Sequence, residues 1–213
     1  MTTIAIGYAY SKLINDQSHI APSLFYNEVE LDHINWINTI YPKFNDPEDS
    51  LPVCNLQLTN YLGYYHKDQV VVIGGDLSAL NDLLITYESL YADGVNLILV
   101  HAQPETIQTS INQDSDHPNS RVFTSKNLEQ LARQLPTSFP EKQTSSSTPS
   151  ILVIDASYWS NQTNSPTSSQ PDVLKLLEPY HFNLILVSGY APNNDPNKII
   201  FNQLKNFIQK VTN

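Results

Sequence analysis

The segment from Val70 to Ser78 constrains the fold of this chain more than any other part of its sequence. Four β-branched residues, Val70-Val71-Val72-Ile73, are followed directly by Gly74-Gly75-Asp76. An apolar run without alternating polar residues is typical of a strand that is covered on both faces, as in a parallel sheet. Parallel strands need long crossover connections, which are usually helices. This segment therefore predicts an α/β protein.

Similar apolar runs recur along the chain and alternate with helical patterns. They predict strands over 4–8, 95–100, 151–154 and 184–187, with a weaker candidate at 122–124. Apolar residues at three- and four-residue spacing predict a helix after Ser78 as its N-cap, a shorter one near residues 128–135, and a C-terminal helix that starts at Asp195-Pro196. This alternation predicts right-handed βαβ units, hence a three-layer α/β/α fold with a mainly parallel sheet.

The length of 213 residues suits one domain, over residues 1–213, with a single sizeable core. Several stretches interrupt the strand and helix patterns, and most are rich in Pro, Ser, Thr and Asn. We expect flexible loops there, near 41–52, 107–120, 136–150 and 160–171. None of these stretches is long enough to separate two domains.

The charge balance and the cysteine count exclude some classes of function. The formal net charge of -10 argues against nucleic acid and against an anionic membrane as the main partner. A single cysteine, Cys54, rules out an intramolecular disulfide and a cysteine-cluster metal site. The chain has no basic segment followed by an apolar stretch near Met1, and no run of membrane-spanning length. We expect a cytoplasmic protein, with signal-independent secretion left open.

Polar residues gather directly after the predicted strands. Ligands of α/β proteins bind beyond the carboxyl ends of the strands. His101, Glu105 and Asp155 lie at such ends and could meet as metal ligands or as an acid–base set. The alternative is that these residues cap helices and solvate loops, and their spacing alone favours that alternative.

The order of the strand ends resembles the ureohydrolase family of arginase, agmatinase and formiminoglutamase. That family carries a Gly-Gly-Asp-His-Ser turn, then Asp-Ala-His-x-Asp, then Asp-x-Asp. The turn Gly74-Gly75-Asp76-Leu77-Ser78 is similar except at the histidine. The segment from Ile6 to Lys12 resembles the first strand and the following loop of the family, and Ala21-Pro22 with Leu24 resembles the segment that starts its next helix. Pro192 stands where the family has a proline after the final strand. The resemblance implies an arginase-like fold, truncated between His101 and Asp155.

The same resemblance places this chain among degenerate members of the family. Ureohydrolases hold two manganese ions that activate a bridging water against a guanidinium carbon. At their six metal-ligand positions and at the glutamate that contacts the guanidinium in arginases, this chain has Leu77, His101, Gln103, Glu105, Asp155, Ser157 and Gly189. Asp155 alone is unchanged, and leucine has no electron pair to donate. The resemblance therefore implies a lost manganese site, no catalytic residues and no cofactor.

These features predict a non-catalytic protein that acts in interaction or regulation, with an unknown protein partner or a second copy as its target. The 12 tyrosines suit this function, because tyrosine is favoured at interfaces as well as in cores. A predicted helix over 56–66 presents Leu58, Tyr61, Leu62 and Tyr65 along one face. Two alternatives stay open. One is a repurposed hydrolase that uses His101, Glu105 and Asp155, and the other is a small-molecule sensor with a residual pocket at the strand ends.

Overall fold

The computed structural model describes residues 2–10, 20–28, 33–42, 47–91, 94–101, 103–104, 106–107, 121–124, 128–138, 148–160 and 173–213. Within these residues, seven strands form one sheet in the order β2-β1-β3-β7-β6-β4-β5. They are β1 Thr3–Tyr8, β2 Ile34–Ile40, β3 Gln69–Ile73, β4 Asn96–Val100, β5 Arg121–Thr124, β6 Ser150–Asp155 and β7 Leu184–Ser188. Every neighbouring pair is parallel.

Helices cover both faces of this sheet. They are α1 Ala21–Glu28, α2 Pro47–Tyr65, α3 Leu80–Leu90, α4 Leu128–Ser138, α5 Ser157–Ser160, α6 Val173–Leu177 and α7 Ile199–Thr212. Val70 and Val72 of β3 pack with side chains of α2 and α3 on one face. Val71 and Ile73 of the same strand pack with side chains of α1, α4, α6 and α7 on the other. The predicted three-layer α/β/α class is therefore confirmed.

The apolar runs become the central strands of the sheet, as predicted. All five residues of β3, β4 and β7 are buried, because helices lie against both faces. The weaker candidate at 122–124 also forms a strand, β5, at one edge. Cys54 is a buried residue of α2, so its thiol packs in the core. In the described part of the chain, no helix is both long and apolar enough to cross a membrane.

Some element boundaries differ from the sequence predictions. The strand β2 was not expected, since its apolar residues alternate with Asn and Thr and most of its side chains are partly buried or exposed at the other edge of the sheet. Helix α2 begins at Pro47, inside the loop predicted over 41–52, and continues through Pro52. Helix α4 extends to Ser138, into the loop predicted over 136–150. Nearly all of the loops predicted near 107–120 and 160–171 lie outside the described residues.

Two predicted helix starts are also corrected. The carboxylate of Asp76, and not Ser78, caps the 3₁₀ turn Leu77–Ala79 that leads into α3, since it accepts the N–H of Ser78 at 2.8 Å. Helix α7 starts at Ile199 instead of directly after Asp195. The buried Asp195 still caps it, because its carboxylate accepts the N–H groups of Ile199 and Phe201 at 2.7 and 2.9 Å.

Candidate functional site

The carboxyl ends of the central strands bring the described residues of the predicted site to one edge of the sheet. Asp155 at the end of β6 is in register with Ser188 at the end of β7. The N–H of the next residue, Gly189, donates to the carbonyl of Gly75, which follows β3. Strand β4 lies on the other side of β6 and ends directly before His101. Residues far apart in the chain thus converge because parallel strands end at the same edge.

Asp155 lies at the centre of this group, and its carboxylate is bonded to neighbours in the same chain. The side chain of this residue is largely buried. Its Oδ1 accepts the N–H of Ser157 at 2.9 Å, and its Oδ2 accepts the Ser157 hydroxyl at 2.6 Å. The same Oδ2 lies 2.9 Å from Nε2 of His101. Three donors therefore satisfy one buried carboxylate.

The second nitrogen of His101 is also engaged. The backbone N–H of Gln103 donates to Nδ1 of His101 at 2.9 Å. An N–H group can only donate, so Nδ1 acts as the acceptor. The neutral imidazole consequently carries its proton on Nε2, which points at Asp155. This arrangement orients the ring from both sides.

The two partners shift each other's ionisation. Burial opposes the charged form of Asp155, but the hydrogen bonds from His101 and from the hydroxyl and N–H of Ser157 outweigh it and lower the pKa of Asp155. The hydrogen bond to Asp155 raises the pKa of His101, against the opposing effect of partial burial. Both shifts have the same physical origin, the contact between Nε2 of His101 and the carboxylate of Asp155.

Gly189 is required by the position of Asp155. Its φ of +66° lies in the left-handed region, which is strained for residues with a side chain. A Cβ at this position would overlap Oδ1 of Asp155. A glutamate here, as in the arginases, would displace Asp155 from its present hydrogen bonds. The glycine and the His101–Asp155–Ser157 cluster therefore form one arrangement.

The two remaining predicted positions that the structure describes, Leu77 and Gln103, contribute no side chain to the polar cluster. Leu77 lies in the 3₁₀ turn after β3 and packs, partly buried, against the core cluster on the α2 and α3 side of the sheet. Gln103 contributes its backbone N–H, and its side chain is exposed. Glu105 lies outside the described residues.

These residues do not fit a pair of manganese ions. Among the described residues, no three His, Cys, Asp or Glu side chains are grouped so that they could hold a metal ion. Leu77 has only hydrocarbon to offer, and the Ser157 hydroxyl directs its proton at Asp155. Two closely spaced divalent cations need several carboxylates around them to balance their charge. Among the residues that the structure describes, the donors form a hydrogen-bonding cluster around Asp155.

A second polar network near this edge was not anticipated from the sequence. The hydroxyl of Tyr8, at the end of β1, donates to Oδ1 of Asn55 in α2 at 2.6 Å. Asn55 in turn donates to the carboxylate of Asp82 in α3. Burial raises the pKa of Tyr8, so its phenol stays protonated and acts as a donor. The three residues share no local motif, and only the packing of α2 on α3 brings them together.

Two cavities lie away from the strand ends. One of about 330 Å³ is lined by β5 and α4 residues, including Arg121 and Gln134. The other, of about 130 Å³, lies between the sheet and helices α1 and α7 and is lined by apolar side chains such as Phe25 and Trp36. Neither is lined by His101 or Asp155, so neither is the residual pocket predicted at the strand ends.

Comparison with known proteins defines the fold. No protein-family model and no curated protein matches the chain. Among solved structures, it is similar to the proclavaminate amidino hydrolase from Streptomyces clavuligerus, with a TM-score of 0.68 and 14% identity over 99% of this chain and 90% of that chain. The arginase from Bacillus subtilis gives a TM-score of 0.67 and 12% identity over 100% of this chain and 98% of that chain.

A third similar structure extends the likeness to another activity. The formimidoylglutamase from Bacillus subtilis gives a TM-score of 0.66 and 12% identity over 100% of this chain and 86% of that chain. Identities this low establish the fold alone. They confirm the arginase-like α/β fold that the strand-end motifs predicted.

Proposed function

We propose that this chain, which has the fold of arginases and related amidino hydrolases, does not hydrolyse guanidino compounds and acts by binding another macromolecule. The observation that carries this proposal is the hydrogen bonding of Asp155. The single retained ligand position is saturated by Ser157 and His101 of its own chain. A carboxylate that accepts three short hydrogen bonds has little capacity left for a cation.

The chemistry of hydrolysis explains why these substitutions act together. Metal-dependent attack on a guanidinium carbon needs a water polarised by cations, and the cations need ligands with electron pairs. Leu77 has none, and Ser157 is a neutral group where the family has a carboxylate. Gly189 replaces the carboxylate that contacts the guanidinium in arginases. The ligand set and the substrate contact are altered together, which supports a change of function rather than a change of substrate.

A repurposed acid–base enzyme is the second candidate, favoured by the His101–Asp155 pair. An imidazole oriented by a carboxylate is the arrangement that many general bases use. In this chain, however, Nδ1 already accepts a hydrogen bond from the Gln103 backbone. To take a proton from a substrate, His101 would first have to break that bond. If His101→Ala, Glu105→Ala and Asp155→Ala together leave every detected activity unchanged, this candidate fails.

Manganese binding and hydrolysis provide the direct test of the proposal. Purified protein is incubated with Mn²⁺ and then desalted. We expect elemental mass spectrometry to find no stoichiometric metal in it. We also expect no urea or amine release from arginine, agmatine or formiminoglutamate, with an arginase assayed in parallel as the positive control. Because a ligand that binds the native state raises its stability, Mn²⁺ and a chelator should leave the melting temperature unchanged. Stoichiometric manganese together with hydrolysis of any of these substrates would contradict the proposal.

A further inference from the structure

Strand β1 carries large side chains on one face and small ones on the other. Its large residues pack into the core on the α2 and α3 side and are Ile4, Ile6 and Tyr8. Successive side chains of a strand point to opposite faces, so Ala5 and Gly7 face the α1 and α7 side. On that side, β1 offers little bulk to the helices that cover the sheet.

Helix α1 approaches the sheet closely at Gly7 and leaves a gap at Ala5. A Cβ on Gly7 would lie 2.9 Å from Cβ of Pro22 in α1, so no space remains there. Ala5 is in register with Trp36 of β2 and with Val71 of β3, which are both larger. The cavity of about 130 Å³ lies between this row of residues and helices α1 and α7. One small residue between two larger ones therefore forms its floor.

The lining of this cavity offers little for water to bind. All eight residues that line it are hydrophobic, and none carries a charge. Phe25, Val71 and Ile208 are buried, and the backbones of β1, β2 and β3 are paired with one another in the sheet. A buried water needs about two to four polar partners. An ordered water is therefore a poor occupant of this space.

Aromatic rings form the rim of the cavity. Tyr26 and Trp36 meet edge to face, with ring centroids 5.4 Å apart. Tyr26 is 63% exposed, so the cavity reaches the surface at this rim and a ligand can enter without unfolding of the core. Phe25, the neighbour of Tyr26 in α1, lines the buried part. Because aromatic rings attract one another edge to face or in offset stacks, this lining favours an aromatic occupant over an aliphatic one of equal volume.

We infer that this cavity is a binding site for one uncharged aromatic ring of the size of benzene. Apolar cavities of roughly 150 Å³ in other proteins stay dry and take up benzene. A bound ring also supplies the dispersion contacts that the lining of an unfilled cavity lacks. A charged ligand is excluded, since no lining side chain could pair with its charge.

This site goes beyond the proposed function. It lies between the sheet and helices α1 and α7, and neither His101 nor Asp155 lines it. Binding of a ring there requires no change in the hydrogen-bonded cluster at the strand ends. The two sites can therefore be tested separately.

Benzene titration of the full chain tests the inference with two readouts. In the Trp159→Phe background Trp36 is the single tryptophan, and we expect a saturable change in its fluorescence because it lines the cavity. The melting temperature should rise by roughly 3–6 °C at about ten times the dissociation constant, since the ligand binds the native state. 1,4-Dioxane, a ring of similar size with two ether oxygens, should bind about tenfold more weakly or worse, because these oxygens lose their hydrogen bonds to water.

Substitutions of Ala5 locate the bound ring. Ala5→Leu fills the cavity from its floor and should weaken benzene binding by roughly tenfold or more. The melting temperature of this variant without ligand should not fall, because the added carbons enter existing space. Ala5→Val adds less volume and should give an intermediate loss of binding, and it serves as the second variant if leucine prevents folding.

The matched control is Val211→Ile. It enlarges a buried residue of α7 that belongs to the same core but does not line the cavity, so it should bind benzene like the wild type. Circular dichroism verifies that each variant is folded.

Two results would overturn the inference. One is a wild-type protein whose melting temperature and Trp36 fluorescence both stay unchanged in water saturated with benzene. The other is that the folded Ala5 variants bind benzene as tightly as the wild type, which would place the ring elsewhere. Neither result affects the manganese and hydrolysis test, so the proposed function would stand or fall separately.

Discussion

At the scale of single residues, one hydrogen-bonded cluster accounts for the unusual residues at the strand ends. Asp155 accepts the donors of Ser157 and His101, and Gly189 leaves the space that Asp155 occupies. Ser157 and His101 together satisfy the carboxylate of Asp155, so these residues form one internally bonded group.

The ionisation of this cluster gives a prediction at the residue scale. Because Asp155 raises the pKa of His101 above 6.5, we expect the Asp155→Asn variant to titrate at lower pH than wild type when the His101 ring is followed by NMR. A raised histidine pKa stabilises the fold fully below pH 6.5, and this stabilisation is lost as the pH rises through the folded pKa. A lowered aspartate pKa stabilises the fold above pH 3.8, and this stabilisation is lost as the pH falls through the folded pKa.

The two effects overlap between pH 3.8 and 6.5, which is where the free energies of unfolding of wild type and Asp155→Asn should differ most. Urea denaturation at a series of pH values measures this difference. An unchanged His101 titration in the variant would contradict this coupling between His101 and Asp155.

At the scale of elements, the start of α7 is capped by a carboxylate that lies several residues before the helix. Asp195 lies four residues before the first residue of α7, yet it caps two N–H groups of that helix and accepts the Tyr190 hydroxyl at 3.2 Å. The residue directly before α7 is Lys198, with a φ of +54°, and it makes no side-chain cap. The buried aspartate therefore replaces a local N-cap.

Removal of this cap should weaken the attachment of α7. We expect Asp195→Ala to lower the free energy of unfolding by about 1–2 kcal/mol, because two helical N–H groups lose their acceptor. Tyr190→Phe is the control, since it keeps both caps and loses only the longer hydroxyl contact. Urea denaturation followed by circular dichroism measures both variants. A loss as large in Tyr190→Phe as in Asp195→Ala would show that capping is not the cause.

At the scale of the whole molecule, the sheet is shared by two hydrophobic cores. Strand β7 lies at its centre, between β3 and β6. Ile185 of this strand packs into the core on the α1 and α7 side, while the next residue, Leu186, packs into the core on the α2 and α3 side. Because one backbone supports both cores, neither is expected to unfold alone.

Alanine substitutions on the two sides of β7 test this coupling. Ile185→Ala and Leu186→Ala should each lower the free energy of unfolding by about 2–5 kcal/mol, since both side chains are fully buried. In each variant, tryptophan fluorescence and circular dichroism should report the same single transition. Ile85→Ala, at an exposed position of α3, should have little effect. Two separate transitions in either β7 variant would contradict the shared core.

The sequence predicted the central sheet well and the cluster at its edge poorly. Apolar runs such as Leu184 to Val187 are local signals, because a strand buried on both faces needs apolar residues at every position. The edge strand β2 was missed, since a half-exposed strand alternates and its pattern is weaker. Helix α2 was predicted too short because the prolines at 47 and 52 indicated a loop. Pro47 is the first residue of the helix, a position that accommodates proline, and the helix continues through Pro52.

The sequence by itself determined the arginase-like fold, because strand pattern and motif order can be read along one dimension. Only the tertiary structure decided what Leu77, Ser157 and Gly189 contact. His101 meets Asp155 because β4 and β6 are neighbours in the sheet, and Asn55 meets Asp82 because α2 packs on α3. Such contacts join residues tens of positions apart, and their hydrogen bonds depend on distances that the packing of the apolar strands sets.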